Sequence, residues 1–230
     1  MRKFWGYATN GEFSVGCTGQ TVYLYDKDNN EINRFKDIIY AYLPAISPNG
    51  KIFVVKSSDG RMAVYSLETF SLVKKFRFSK VNSAQDDGFC FSPDGKLFIN
   101  IERQKDQIHS AISVYETSDF FLLKRIFVDD ETKISHIEYD EDTNSYYIFG
   151  FSVNKKLDEL QGFVAKFEDF QIKNVMPISK NEYEFYSTYL HLKRSGFAEK
   201  SYDWSYIDCN LEELKHMNHT LAKLYSYYNK

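Results

Sequence analysis

Few residues of this chain stand at spacings that chemistry could use. Asp26, Asp28 and Asn30 alternate like the first three ligands of a calcium loop. The sixth position is then Glu31, where a Gly should make the sharp turn, and the twelfth is Asp37 rather than Glu. Asp and Asn are also ordinary turn formers, and a turn is the favoured account. Glu213, His216 and His219 stand three apart, near one face of a helix over this stretch. A di-metal carboxylate site needs a second such motif from another helix, and none is present, so solvated helix residues are expected. His109, His136 and His191 are scattered, with no nucleophile placed beside them. Ser14 lies in Gly11-Glu12-Phe13-Ser14-Val15-Gly16, which is not the G-x-S-x-G elbow. No glycine-rich phosphate loop occurs. The expectation is no catalytic residue, no metal and no cofactor, hence a protein that is not an enzyme. The alternative is an enzyme or small-ligand binder whose polar groups converge from several repeats on one axis.

The remaining candidates are carboxylates in adjacent runs. Asp86-Asp87 and Asp129-Asp130-Glu131 lie in what read as loops between repeating units. On one face they form an acidic rim, and a protein partner with a basic or polar surface is expected to meet it, because complementary charge steers encounter. The bland account is that acidic loops only confer solubility.

The background against which these residues act is nearly neutral. The 230 residues carry 29 Lys and Arg against 32 Asp and Glu, for a formal net charge of −3. That balance gives no basic stripe for nucleic acid and no electrostatic pull toward anionic membranes. No apolar run of membrane-spanning or signal-peptide length follows the basic Met1-Arg2-Lys3 start. Cys17, Cys90 and Cys209 are odd in number and far apart, which suits free thiols in a reducing cytoplasm.

The elements that must position these residues are read from an internal repeat. Ile46-Ser47-Pro48-Asn49-Gly50-Lys51-Ile52-Phe53-Val54 matches Phe91-Ser92-Pro93-Asp94-Gly95-Lys96-Leu97-Phe98-Ile99. Pro presets one turn dihedral and Gly supplies positive φ, so each copy is a hairpin turn between apolar strands. Downstream, Met62-Ala63-Val64-Tyr65 and Leu72–Phe76 match Ile112-Ser113-Val114-Tyr115 and Leu122–Ile126. Each unit therefore reads as four strands joined by turns. Weaker copies flank the two, and Tyr25, Tyr65, Tyr115, Phe167 and Ile207 mark the successive third-strand ends.

Ser-Pro-Asp-Gly-Lys at 92–96, Ser-Ser-Asp-Gly-Arg at 57–61 and Val64-Tyr65-Ser66-Leu67-Glu68-Thr69 resemble the turns and third strand of a divergent WD40-like β-propeller repeat. The resemblance covers roughly residues 40–130. No repeat carries a Trp-Asp or Gly-His dipeptide, so the buried His–Asp bonding of typical blades is not expected. The resemblance implies an all-β fold: a small propeller-like array of four to five four-stranded antiparallel blades over residues 1–210. Two closures stay open, a complete small ring and an incomplete one closed by another element or chain.

Residues 211–230 are expected to form a short C-terminal amphipathic helix packed on the last blade. Asn210 with Glu213 has the capping-box pattern, and Leu214, Met217, Leu221, Leu224 and Tyr228 recur at helical spacing. A monomer, or a homodimer formed through that helix, follows. An outer strand over 211–217 is the other reading of this stretch. The functional expectation is a cytoplasmic, non-catalytic interaction module that binds a protein partner, with no nucleic acid and no membrane involved.

Overall fold

The computed structural model describes residues 4–81, 84–85, 87–105, 109–128, 131–154, 159–194 and 219–229. They form four four-stranded antiparallel sheets and two helices. Sheet one is β1 (Gly6–Thr9), β2 (Phe13–Cys17), β3 (Val22–Asp26) and β4 (Glu31–Phe35). Sheet two is β5 (Ala41–Ile46), β6 (Ile52–Ser57), β7 (Arg61–Ser66) and β8 (Ser71–Arg77). Sheet three is β9 (Phe89–Phe91), β10 (Leu97–Arg103), β11 (Ser110–Glu116) and β12 (Phe121–Phe127). Sheet four is β13 (Thr132–Asp140), β14 (Ser145–Asn154), β15 (Glu159–Glu168) and β16 (Gln171–Ile178). Helix α1 spans Lys180–Arg194 and α2 spans Leu221–Tyr228. Each sheet is a simple meander in chain order, as expected of propeller blades. The chain divides into two compact units, Met1–Asp86 with His191–Asp203, and Asp87–Leu190 with Trp204–Lys230.

The turn chemistry is repeated bond for bond. Gly50 (φ 66°) and Gly95 (φ 68°) take the left-handed conformation that their turns require. Ile52 N donates to Ser47 Oγ (3.1 Å) and Leu97 N to Ser92 Oγ (2.8 Å). Lys51 N donates to Asn49 Oδ1 (3.1 Å) and Lys96 N to Asp94 Oδ1 (3.0 Å). The same turns reach the third strand, with Leu67 N on Lys51 O and Thr117 N on Lys96 O. Every third-to-fourth strand pair also carries a bulge, at Leu24/Tyr25, Val64/Tyr65, Val114/Tyr115 and Val164/Lys166. The aromatic register of the sequence is therefore a register of real geometry.

In the first unit, sheets one and two share a core of Val15, Leu24, Phe35, Phe53, Val55 and Tyr65. In the second, Ile99, Ile101, Ile112, Val114, Ile148 and Phe167 do the same for sheets three and four. Strand alternation explains both, since residues two apart on β6 and on β10 enter the same core. Each sheet ends in an exposed edge strand, and β12 leaves Phe121, Leu123 and Phe127 largely in solvent.

The chain leaves the repeat after Ile178. Ser179 caps α1, with Glu182 N on Ser179 Oγ (3.4 Å) and Ser179 N on Glu182 Oε2 (3.3 Å), a reciprocal capping box. Residues 180–194, read from the sequence as part of a strand repeat, are therefore helical. Tyr183 seats the helix over Gly162, where a Cβ would come within 2.5 Å of the Tyr183 Cβ. Tyr183 also stacks on Phe149 at 5.1 Å. Helix α2 begins at Thr220, whose Oγ1 accepts from Lys223 N (3.2 Å). It buries Leu221, Ala222, Leu224 and Tyr225, with Tyr225 against Tyr147 of β14 and Leu221 N on Glu138 of β13 (2.9 Å). Residues 195–218, which include the fifth third-strand end at Ile207, the cap at Asn210 and both Glu213 and His216, lie outside the described residues.

Candidate functional site

The antiparallel meander places three features at one end of every sheet: the entry to the first strand, the turn between the second and third, and the exit from the fourth. Loops that join consecutive sheets and loops that join strands two and three therefore share that end. Loop ends on a rigid scaffold are where binding residues concentrate.

In the second unit this end is built on a buried ion cluster. Asp87 enters sheet three and is only 3 % exposed. Arg103, at the end of β10, grips it with both arms, Nε to Oδ2 and Nη2 to Oδ1, each at 3.2 Å. Lys133, at the start of β13, brings its ammonium to 3.8 Å from Oδ1 and lies 5.7 Å from the Phe151 ring centroid. Asp87 is thus no part of an exposed acidic rim. A charged residue enters a protein interior only when paired, and this one fastens the entry of sheet three to sheet four. Glu131 is exposed. Asp86, Asp129 and Asp130 lie outside the described residues.

In the first unit the same end exposes apolar side chains instead. Ile39 is 40 % exposed and Tyr40 54 %, in the segment between β4 and β5. Trp5, at the entry to β1, is 41 % exposed. Its indole Nε1 lies 3.9 Å from where a Gly19 Cβ would be, and Gly19 is bridged to Ala41 by a pair of backbone hydrogen bonds (3.1 and 2.9 Å). The three exposed side chains therefore border one strip of backbone.

That strip is held under strain. Tyr40 has φ +53°, a left-handed conformation that costs a bulky residue about 1–3 kcal/mol. Its neighbours impose it. The Ser57 hydroxyl donates to Ile39 O (2.6 Å), and Ser58 N donates to Tyr40 O (3.1 Å). Ile38, one residue earlier, is buried in the core. The segment is thus anchored on both sides while its two apolar side chains face water. Residue type alone hides this patch, because Ile and Tyr between strands read as core; the one sequence signal is three apolar residues, 38–40, where two strands have room to bury one.

The other candidates resolve as structure. Asp26 Oδ1 accepts from Asp28 N (2.9 Å) and Asn30 N (2.8 Å), and Asn30 Nδ2 donates to Oδ2 (3.0 Å). Its bonds to Asn30 hold the carboxyl below its ordinary range, and the loop is a turn. His136 is buried in β13 against Phe149. The His219 ring lies edge-on to Tyr186 and Tyr189. Burial pushes the Cys17 thiol up, away from reactivity. Among the described residues no group of His, Cys, Asp and Glu is arranged to hold a metal ion.

No protein-family model matches the sequence, and no curated protein matches it. Likeness is confined to shape: 1150 chains of known structure match. Among them is the hydrazine synthase of Kuenenia stuttgartiensis, with a TM-score of 0.63 and 17% identity over 76% of this chain. The match covers 53% of that protein's chain, so this one spans about half its length. At that identity the likeness concerns the fold alone, and function has to be argued from the site.

Proposed function

We propose that the four sheets are blades of a divergent WD40-like propeller, and that the chain is a non-catalytic interaction module whose loop ends bind a protein partner. The observation that carries the reading is the patch of Trp5, Ile39 and Tyr40. A strained backbone that turns Tyr and Ile outward has no use in the core it forgoes, and Trp and Tyr are the side chains on which interfaces concentrate their energy. The repeated turns and bulges support the blade assignment. The free thiols of Cys17 and Cys90 suit a cytoplasmic setting.

The test compares the wild-type chain with the triple variant Trp5→Ala, Ile39→Ser, Tyr40→Asn as bait in the native host. Asn tolerates the left-handed backbone, and matching thermal transitions establish that the variant is folded. Loss of the partner that the wild type retains is expected; retention of the same partner at the same yield overturns the reading. Charge reversal of Asp86, Asp129, Asp130 and Glu131 tests the acidic loops separately, and unchanged capture removes them from the surface.

A further inference from the structure

The corner of the first unit that exposes Ile39 and Tyr40 also gathers positive charge. Lys75, on β8, donates its ammonium to the Asp37 carbonyl (3.0 Å), at the root of the exposed segment. Arg77 donates to the Asp59 carbonyl (3.2 Å), and Arg61 Nε lies 3.3 Å from the Asp59 carboxylate. Ser58, the neighbour of Asp59, is the residue that holds Tyr40 O. Two apolar side chains and three cations are therefore fixed to two stretches of backbone, 37–40 and 57–59, that are hydrogen-bonded to each other. Arg61 and Arg77 keep 40% and 41% of their side chains in solvent. Lys75 and Lys80 are exposed as well. From Phe70 to Gln85 the sequence has Lys74, Lys75, Arg77 and Lys80 and no acid. Two carboxylates stand at this corner, Asp59, paired with Arg61 (3.3 Å) and Arg77 (4.0 Å), and the exposed Asp37, against the four cations Lys75, Arg61, Arg77 and Lys80.

We propose that this corner binds an extended acidic segment of a protein partner, with carboxylates on Lys75, Arg61 and Arg77 and an apolar side chain against Ile39 and Tyr40. This rests on the interaction-surface reading above and adds the partner's chemistry. Guanidinium groups match carboxylates in geometry as well as charge, and the apolar pair supplies the desolvated contact that ion pairs in water lack. A nucleic acid offers the same sign of charge. It is disfavoured because a long polyanion meets the whole chain, whose net charge is −3, whereas a short segment senses only charges within a screening length of about 8–10 Å.

Fluorescence anisotropy decides between them, with three labelled probes: an eight-residue peptide alternating Glu and Leu, its counterpart with Lys for Glu, and octauridine. The acidic peptide is expected to bind at least tenfold more tightly than the other two, and more weakly as salt is raised. The pair Lys75→Gln, Arg77→Gln is expected to weaken it about tenfold, since each exposed ion pair is worth up to about fivefold. Tyr40→Asn is expected to weaken it independently. Octauridine binding as tightly as the acidic peptide, or no acidic-peptide binding at millimolar protein, overturns the proposal. If Tyr40→Asn abolishes binding and the charge variants leave it unchanged, the acidic chemistry falls and the interaction surface stands. If neither changes binding, the corner is not the surface and both readings fall.

Discussion

Replacing Asp87 with Ala separates two accounts of that residue. An acid on a solvated rim contributes little to stability, and its loss is worth under about 0.5 kcal/mol. In the structure its carboxylate is shared by Arg103 and Lys133, whose side chains are themselves only 12% and 15% exposed. Removing the carboxylate leaves two shielded cations short of the anion they divide, a situation that costs about 3–5 kcal/mol. With a urea dependence of about 2 kcal/mol per molar, the unfolding midpoint should fall by about 2 M. Far-UV circular dichroism across a urea titration reads that shift directly. Because the cost lies in the stranded cations, the triple variant Asp87→Ala, Arg103→Met, Lys133→Met should recover most of the loss. A midpoint drop below about 0.3 M for the single variant, or no recovery in the triple, refutes the reasoning.

The other predictions probe the turns, the core and the helix cap. Gly60 has φ +85°, and a Cβ there would lie 2.6 Å from Ser79 O, so Gly60→Ala should cost about 3 kcal/mol by urea titration. Gly11→Ala, at φ +87° with nothing within 4 Å, should cost only about 1–2 kcal/mol, and equal losses would remove the steric part of the account. Asn100 is fully buried in β10, with no hydrogen-bond partner for either polar side-chain atom among the described residues. Asn100→Leu should therefore stabilise by about 1–2 kcal/mol, seen as a rise of several degrees in Tm; a fall in Tm would show that the amide is satisfied. The hydrogen bond from Ser179 holds the Glu182 carboxyl below its ordinary range. A group depressed on folding contributes fully above its unfolded value, near about 4.3, and loses that contribution as pH falls through the lower folded value. Glu182→Gln should accordingly flatten the fall of Tm below about pH 4, and an unaltered slope would contradict the cap.

The parts of the fold that local chemistry dictates are legible in the sequence. Ser47–Ile52 and Ser92–Leu97 announce their turns because Ser, Asn or Asp, and Gly each have one place in them. Tyr25, Tyr65 and Tyr115 mark the third strands, each directly after a bulge, and Phe167 lies just beyond the bulge at Val164/Lys166. Helix α1 was hidden by its own composition. Tyr183, Phe185, Tyr186 and Tyr189 favour strands, and packing of Tyr183 over Gly162 overrides that preference, though Ser179-x-x-Glu182 carried the capping signal. Asp87 was misplaced for a different reason. Its type belongs on the surface, and the cations that draw it inward come from β10 and β13, elements that only the folded chain brings to it. Tyr40 and Ile39 are the converse case, since residues of their type belong inside.

Strands β8 and β12 each have a lysine at their midpoint, Lys74 of Ser71–Arg77 and Lys124 of Phe121–Phe127. Two molecules meeting edge to edge, antiparallel and in step, would set ammonium against ammonium at the centre of either ribbon. That register of self-pairing is thereby penalised along an edge that leaves three greasy side chains of β12 open to water. A heterologous strand with an acid at its centre meets attraction there instead, because opposite charges set directly across a strand pair favour it.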